Sequence, residues 1–534
     1  MKRLLPLFLC LLILLTGCGK KPSLIRYDIS SSPRNLDPQF ATREVDQMVI
    51  HNIFEGLVRQ LPSGAIEEAA AQSYTISPDG KTYTFTLRED LQWKSGDDPV
   101  PVTAQDFVFS FRRIFNMLSP SPYAQMFLSI DNARHILDGD MGETHLGVAA
   151  PDDRTVVFTL TKPDASFLER LAHSAAMPCN QQIFEETKGK YGTTKNATAS
   201  NGPFFLNLWD ESKLYLKKNP RYHEAESIQS PGVYLYIGRD RPQEEGEVPP
   251  TLLELVMNGK SDSCFVTVEQ AKEASQKGFS YEEQSATVWG LIVNPHHRQL
   301  SNELIRKAFF HSIQREELEG YLGDNMVLTD RIIAPAISLF TQPYVTSAPV
   351  PNKTPDPALA RQECEEGLIQ IEAASLDPME LLVPEDSNVP FLAGMLQQMW
   401  QRNLSAFVNI VSLPRDELQQ RVADGQYDLA IVPFTASTNT PYDVLSRFLS
   451  NSPENIWGYR NAFYDSLLHQ AAASSDPPES RSLYAQSEAS LYEDCIVFPL
   501  FHEISCILFA PDVTGIQVYP YGGMVSFRDA VAVR

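Results

Sequence analysis

NGKSDSCFV, residues 258–266, is the stretch on which the fold prediction depends, because DGQYDLAIV, residues 424–432, repeats its pattern. In both stretches two residues separate a glycine from an aspartate, and a mostly apolar run follows. Glycine is typical of the end of a helix, since it adopts the left-handed backbone needed there, and the apolar run predicts a buried strand. Two such helix-to-strand units predict two α/β lobes rather than one continuous sheet.

Local patterns elsewhere in the chain predict further elements. Alternation of apolar and polar residues predicts strands at 82–87 and 154–160. Thr103 and Asp106 predict a helix start before the apolar run 107–115, because their side chains can cap free backbone N–H groups. Amphipathic spacing predicts helices at 305–313, 391–404 and 482–492. Proline-rich composition predicts exposed loops at 241–250 and 347–357.

Length and charge limit the class of protein. The chain has 534 residues, 43% of them hydrophobic and 21% charged, which is typical of a globular protein of roughly two to four domains. It carries 67 Asp and Glu against 44 Lys and Arg, for a net charge of −23. Such a surface repels phosphate backbones, so we expect no nucleic-acid partner.

The N-terminus has the order of a secretory signal. Lys2 and Arg3 precede an apolar run at 4–15 that is too short to span a bilayer comfortably, and small residues follow it. The sequence 15–18, Leu-Thr-Gly-Cys, resembles a bacterial lipobox, in which the cysteine is acylated before cleavage. We therefore predict a lipoprotein signal peptide at 1–17 and a lipid anchor on Cys18. The alternative is an ordinary cleaved signal with an incidental cysteine.

A search for catalytic motifs finds none. The sequence has no G-x-S-x-G, H-E-x-x-H or G-x-G-x-x-G, and the pair His296-His297 has no flanking cluster of metal ligands. The mature chain keeps an odd set of cysteines after Cys18, without a C-x-x-C pair, so a zinc site or a disulfide framework is not indicated. Their disulfide pairing stays open; they are Cys179, Cys264, Cys364, Cys495 and Cys506. We predict no enzymatic activity, no cofactor and no metal.

Several stretches, read in order, resemble one family, the extracytoplasmic solute-binding proteins of ABC importers for peptides or nickel, and most closely the oligopeptide-binding type. The resemblance covers nearly the whole mature chain. It is carried by LDP at 36–38, HNIFEGL at 51–57, SPDGKTYTFTLR at 77–88, WKSG at 93–96, VTAQDF at 102–107, NGPF at 201–204, KNPRY at 218–222, IRKA at 305–308 and the segment 484–499.

The resemblance implies an α/β, two-lobed periplasmic-binding-protein fold of type II, in its large three-domain variety, with a hinge and an inter-lobe cleft. Lobe I would be discontinuous, and an extra domain II would be inserted in it. The implied boundaries are 18–57, 181–288 and 500–534 for lobe I, 58–180 for domain II and 289–499 for lobe III.

The resemblance also implies residues that contact the ligand. Tyr123 matches a tyrosine that faces the ligand in the family. Where the family has a tryptophan, and further on an aspartate that holds the α-amino group of the peptide, this chain has Phe434 and Ser437, with Ala436 between them. A buried ammonium beside serine lacks a counter-charge, so either another acid replaces the aspartate or the ligand is not an ordinary free-amino peptide.

Gapless matching to the family places four further residues near the pocket. Glu44 and Glu503 are the candidate replacements for the missing acid; the alternative for each is a solvated surface acid. Trp289 and Arg415 match lining positions, where the arginine could pair with a ligand carboxylate.

The sequence therefore predicts the solute-binding component of an ABC importer, which captures peptides or peptide-like solutes and delivers them to a permease in the inner membrane. The protein would be a monomer, periplasmic or extracytoplasmic, and lipid-anchored to the cell membrane. One alternative is a family member repurposed for another small solute, such as a modified peptide, a nickel chelate or haem. The other is an envelope lipoprotein that acts as a sensor, chaperone or adhesin.

Overall fold

The computed structural model describes residues 21–94, 98–242, 248–348, 355–385, 388–474 and 476–534. The predicted signal peptide and Cys18 lie outside these residues, as do parts of the two predicted loops. No helix within the described ranges is long and apolar enough to cross a membrane. All five cysteines of the described chain are buried free thiols.

Two four-stranded sheets form the first part of the fold. The strand predicted at 82–87 is present as Thr82–Leu87, and the strand predicted at 154–160 is present as Thr155–Thr159; these two pair antiparallel. Their sheet has the order Ala71–Ile76, Thr82–Leu87, Thr155–Thr159, Val148–Asp152. The second sheet has the order Phe204–Trp209, Lys213–Lys218, Gly232–Ile237, Ile25–Ile29.

Five of the described helices accompany these two sheets, and two more pack instead against strands Ser263–Val266 and Val497–Phe509 with a small apolar core of their own. The predicted cap is confirmed, because Thr103 and Asp106 form a reciprocal capping box at the start of helix Ala104–Ile114. The other helices are Glu44–Ile53, Ala133–Leu137, Phe167–Leu171, Gln181–Glu186, Leu252–Met257 and Val268–Ser275. One continuous apolar core includes both sheets and the end of the chain from Ile507 to Ala532. We call this part the first lobe; the predicted lobe I and domain II share its core.

A seven-stranded sheet forms the centre of the second lobe. Six of its strands have the order Ser263–Val266, Val497–Phe509, Ser280–Val293, Leu429–Thr435, Met379–Pro384, Val408–Leu413. The seventh, Met326–Leu328, pairs with Val497–Phe509. Separate apolar cores cover its two faces, which gives the second lobe three layers. The helices are Glu303–His311, Tyr344–Ser347, Pro357–Gln370, Val389–Leu404, Arg415–Ala423, Pro441–Leu445, Ala462–Ala473 and Pro477–Glu493, among which all three predicted helices are present.

The helix-to-strand units of the sequence analysis are confirmed. Gly259 and Gly425 follow helices Leu252–Met257 and Arg415–Ala423 with φ of +62° and +70°, and strands follow both glycines. The expectation that the two units lie on separate sheets is wrong, since both strands belong to the seven-stranded sheet. The physical reason is that two strands of 14 and 13 residues, Ser280–Val293 and Val497–Phe509, run through both lobes and keep the hydrogen bonding continuous.

These two strands, called the long strands below, connect the lobes. Their pairing register shifts between Gln284 and Thr287 and again between Trp289 and Gly290. A shift of this kind marks a bulge, where a strand bends more easily. The predicted boundaries between lobe I and lobe III lie between residues 288 and 289 and between residues 499 and 500. These two positions face each other across the paired long strands, beside the second register shift.

The remaining strands are short. They pair in small sheets beside the main ones, and they are Pro22–Ser23, Val58–Gln60, Ile66–Glu68, Gln92–Trp93, Val100–Pro101, Ser338–Leu339, Gln342–Pro343, Val513–Thr514, Gln517–Val518, Val525–Ser526 and Val531–Val533.

Candidate functional site

The carboxyl ends of three parallel strands of the second lobe meet at the junction with the first lobe. Strands Met379–Pro384, Val408–Leu413 and Leu429–Thr435 run in the same direction, so their following loops emerge at one edge of the sheet. Ligands of open α/β sheets bind at such an edge. Here the loop after Thr435 contacts the first lobe, because the Gly522 N–H donates to the Ala436 carbonyl oxygen at 3.4 Å. We call this junction the cleft.

A cluster at the cleft contains three of the predicted residues. The Trp289 Nε1–H donates to Glu503 Oε2 at 3.0 Å, and Asn325 Nδ2 donates to Glu503 Oε1 at 3.2 Å. The guanidinium carbon of Arg415 lies 5.4 Å from the centre of the Trp289 ring, which is the distance of a cation–π contact. Trp289 is buried, Glu503 is half-buried and Arg415 is exposed. The long strands bring Trp289 and Glu503 together, since Trp289 faces Phe501 across the sheet.

The segment that ends strand Leu429–Thr435 turns its side chains in different directions. The Phe434 ring is buried about 6 Å from the rings of Phe448 and Trp457, with centroid distances of 6.0 and 6.1 Å. Ala436 is buried as well, whereas Ser437 is exposed. Phe434 therefore belongs to the core beneath the cleft, and Ser437 is the accessible residue of the three.

An acid that the sequence analysis missed lies beside Ser437. Asp443 Oδ2 accepts the Ser437 N–H at 2.7 Å and lies 3.3 Å from Arg447 Nη2, which also donates to the Thr435 carbonyl at 2.7 Å. Burial raises the pKa of Asp443, and the neighbouring Arg447 opposes this effect. Asp443 is thus already compensated by a cation of its own lobe. Its position in the first turn of helix Pro441–Leu445 was the only sequence signal that could have indicated it.

Glu44 lies across the cleft from Ser437. It is exposed in the first turn of helix Glu44–Ile53, where the partial positive charge of the helix end favours an acid. A methyl group on Gly523 would lie 2.9 Å from Glu44 Cβ, and one on Gly522 would lie 2.8 Å from the Ser437 carbonyl oxygen. Glu44 lies against Gly523, and Ser437 lies against the adjacent Gly522. These two predicted residues are therefore close together, with only the two glycines between them.

Tyr123 is hydrogen-bonded within the first lobe. Its hydroxyl donates to the Ala41 carbonyl at 2.5 Å and accepts from Gln47 Nε2 at 2.8 Å, and its ring lies 4.8 Å from that of His173. Burial raises the pKa of Tyr123 to about 12, so the phenol stays neutral. Its hydroxyl hydrogen is committed to Ala41, which leaves the ring edge as the surface that a ligand could contact.

A pocket of about 390 Å³ lies at the opposite edge of the second lobe, away from the cleft. His296, His297 and Asp428 are among its lining residues, and His297 Nε2 is 3.8 Å from Asp428 Oδ1. No group of three or more His, Cys, Asp or Glu within the described residues is arranged to hold a metal. The cleft is therefore the better candidate for the functional site.

Two lobes tied by paired long strands, with polar side chains from both at the junction, define a two-lobed solute-binding protein. The model of the family described as "Bacterial extracellular solute-binding proteins, family 5 Middle" matches residues 65–455. The chain belongs to this family of bacterial extracellular solute-binding proteins.

Similar proteins align over nearly their whole lengths. The periplasmic oligopeptide-binding protein OppA of Haemophilus influenzae is 27% identical over 507 residues, which cover 91% of this chain and 89% of that protein. The oligopeptide-binding protein OppA of Bacillus subtilis is 26% identical, covering 96% of this chain and 94% of that protein.

Solved structures have the same fold. The substrate-binding domain of an oligopeptide ABC transporter from Bacillus anthracis superposes with a TM-score of 0.74 at 24% identity, covering 96% of this chain and 100% of that one. Listeria monocytogenes OppA bound to peptide gives a TM-score of 0.73 at 22% identity, covering 96% and 99%.

Proposed function

We propose that this protein is the solute-binding component of an ABC importer and captures peptides or peptide-like solutes between its two lobes. The observation that carries the proposal is the convergence of Trp289, Glu503 and Arg415 at the carboxyl ends of the parallel strands, where the first lobe meets the second. Membership of the solute-binding family supports it, and so do relatives named as oligopeptide-binding proteins.

Binding and closure are one process in this proposal. A solute that contacts both lobes stabilises the arrangement in which they touch, and its differential contacts set how far the equilibrium shifts. The long strands would act as the hinge, because they are the elements that pass through both lobes and they carry the two register shifts.

The predicted cleft residues have distinct roles in the proposal. Arg415 is exposed and charged, so it would pair with a ligand carboxylate. Glu44 is the stronger candidate for a ligand ammonium, since both oxygens of Glu503 already accept hydrogen bonds from Trp289 and Asn325. Ser437 and the ring edge of Tyr123 would form walls of the site, whereas Phe434 and Ala436 are buried and would support it from beneath.

A second candidate ligand is a solute without a free amino group, such as an amino-blocked or otherwise modified peptide. The observation that favours it is the pairing of Asp443 with Arg447 directly behind Ser437, because the charge of Asp443 is then already compensated. A relative from Escherichia coli, 26% identical over 92% of this chain and 90% of that protein, is named a probable deoxycholate-binding periplasmic protein.

The cellular setting completes the proposal. The protein would be a monomer without enzymatic activity, held at the membrane surface by lipid on Cys18, and it would hand its solute to a permease. Two or three acyl chains suffice for such an anchor, because each buried methylene contributes about 0.8 kcal/mol.

Mass spectrometry of solute released by denaturing the purified protein tests the ligand class. Thermal unfolding and small-angle scattering in the presence of a library of short peptides test the binding and the closure. A ligand should raise the melting temperature by mass action and reduce the radius of gyration. Unchanged melting and scattering across the library, with no solute released, would contradict the importer function and favour a sensor, chaperone or adhesin.

A further inference from the structure

Glu169 is a carboxyl group that the proposed binding site does not use. It lies in helix Phe167–Leu171 of the first lobe, whose flanking residues Phe167 and Leu171 are buried in the core. Its Oε2 atom is buried and has no hydrogen-bond partner among the described residues. A buried carboxylate oxygen without a partner is costly, so its position requires an explanation.

The surroundings of Glu169 come from both lobes. Tyr484 belongs to helix Pro477–Glu493 of the second lobe and is fully buried; burial and, second to it, the nearby Glu169 carboxyl raise its pKa. Tyr521 belongs to the last segment of the first lobe, and Glu169 contributes to its raised pKa too, after burial and Tyr519. Arg170, the next residue, lies 5.7 Å from the ring centre of Tyr442 in the second lobe. Glu169 is therefore half-buried where the two lobes touch, with its Oε2 atom turned away from solvent.

The cation beside Glu169 is already paired. Within the described residues, Arg170 and Asp164 are the charged groups that act on Glu169, and these two pair with each other at 2.5 Å between Nη1 and Oδ2. The groups on other elements that interact with Glu169 are the neutral phenols of Tyr484 and Tyr521. Burial raises the pKa of the Glu169 carboxyl to about 8; Arg170 lowers it and Asp164 raises it further.

We propose that closure of the two lobes takes up one proton at the Glu169 carboxyl, so that solute capture is coupled to pH. This inference rests on the proposed capture by lobe closure. In an open arrangement the Tyr484 side of the junction would be replaced by water, and Glu169 would be ionised at neutral pH. In the closed arrangement the buried oxygen carries the proton instead.

The sign of the effect follows from linkage. Below the ordinary glutamate pKa of about 4.3, both arrangements hold the proton and closure does not depend on pH. Between about 4.3 and about 8, only the closed arrangement holds it, so closure weakens by up to about tenfold for each pH unit of increase. Above about 8 neither arrangement holds the proton, and closure stays at its weakest.

The test compares the wild type with Glu169→Gln, which is neutral at every pH and keeps the side-chain shape, and with Glu169→Met as a second neutral variant. Glu89→Gln is the matched control, because Glu89 is exposed in the same lobe and pairs with Arg154 at the surface. Scattering of the ligand-free proteins between pH 5.5 and 8.5 reports the open fraction. Calorimetry with trialanine at pH 7, in buffers of different ionisation enthalpy, reports the protons taken up on binding.

We expect the wild type and Glu89→Gln to expand as the pH rises and to take up nearly one proton with trialanine, whereas the Glu169 variants do neither. Trialanine affinity should fall about tenfold or more from pH 6 to pH 8 in the wild type and less than about twofold in Glu169→Gln. Identical pH profiles in the wild type and the Glu169 variants would overturn the coupling. If trialanine and longer alanine peptides do not bind at all, the free-amino-peptide form of the proposed function fails, and the scattering profiles alone then decide the coupling.

Discussion

Asp37 shows how a single residue ties distant parts of the first lobe together. It is the acid of the LDP stretch at 36–38, and its side chain pairs with the buried Arg113 of helix Ala104–Ile114, with 3.1 Å between Oδ1 and Nη1 and a second, shorter contact between Oδ2 and Nη2. Arg113 also lies 4.2 Å from the ring centre of Phe184. The LDP stretch therefore links the first strands of the lobe to helix Ala104–Ile114 in its inserted part.

Asp37→Ala should destabilise the first lobe by about 3–5 kcal/mol, because it leaves the Arg113 guanidinium buried without its counter-charge. Urea unfolding followed by tryptophan fluorescence would show an earlier first transition, since Trp93 and Trp209 report on this lobe. Asp90→Ala is the control, because Asp90 is exposed and its loss should cost less than about 0.5 kcal/mol. Equal transitions in the two variants would show that the buried pair contributes nothing.

Ser437 is the residue at which ligand selectivity can be changed. A serine offers about 1 kcal/mol of neutral hydrogen bonding, whereas a carboxylate offers roughly 1.5–3 kcal/mol to a charged partner. Ser437→Asp should therefore favour trialanine over N-acetyl-trialanine by about tenfold or more in calorimetry. The new acid would stand beside Asp443, whose charge Arg447 already balances, so a ligand ammonium would be its natural partner.

Ser437→Asn is the matched control, because asparagine has the same shape as aspartate without its charge. Equal preferences for the free and acetylated peptide in both variants would mean that Ser437 does not contact the ligand's amino end. If the wild type already prefers the free amine and Glu44→Gln abolishes that preference, Glu44 is the acid that binds the amino group in place of the family's aspartate.

At the scale of elements, the turn between strands Val58–Gln60 and Ile66–Glu68 brings the first lobe against the second. Gly64 in this turn has φ of +85°, and a methyl group there would overlap the Asn439 amide nitrogen and lie 3.2 Å from Ser338 Cβ. The Ser338 N–H donates to Asn439 Oδ1 at 2.8 Å and holds that amide in place. The contact therefore joins the two lobes directly, and we expect it to break if the lobes separate.

Gly64→Ala should weaken trialanine affinity by about tenfold, because the added methyl obstructs closure. Gly278→Ala is the control: Gly278 has φ of +90°, and a methyl group there meets nothing within 4 Å. Both substitutions should cost about 1–2 kcal/mol of stability from the left-handed backbone, but only Gly64→Ala should lose affinity. Similar affinities in the two variants would contradict a closing contact at this turn.

Local elements were predictable from the sequence, and their pairing was not. The strand Thr82–Leu87 and the start of helix Ala104–Ile114 depend on alternation and capping within a few residues, so both predictions are confirmed. The single sheet through both lobes depends on the pairing of strand Ser280–Val293 with Val497–Phe509, which lies far away in the chain and leaves no local signal.

The same distinction holds for the site. The resemblance identified Trp289, Glu503 and Arg415, which the structure brings together. It did not indicate Asn325, because an amide that binds a distant carboxylate has no sequence pattern. Phe434 was expected to line the site, but alternation along its strand turns it into the core beside Trp457.

For the whole molecule, the continuous sheet restricts how the lobes can move. Because these strands pass through both lobes, we expect any bending to occur at the register shifts around Thr287 and Trp289. Trp289 lies beside the second shift, and it donates a hydrogen bond to Glu503. A ligand that contacts this pair would act directly on the hinge, which explains how local binding could set the arrangement of two large cores.

The charge of the whole molecule makes its membrane attachment testable. A chain with a net charge of −23 is repelled by anionic lipid, so the protein body should not stay on the membrane without an anchor. Cys18→Ser should therefore release the protein from membranes, as measured by fractionation and by mass spectrometry of the N-terminus. Cys10→Ser is the matched control, because Cys10 lies inside the predicted signal peptide and its loss should leave the attachment unchanged. Membrane-bound Cys18→Ser protein, together with a wild-type N-terminus that carries no lipid, would contradict the anchor and favour an ordinary cleaved signal.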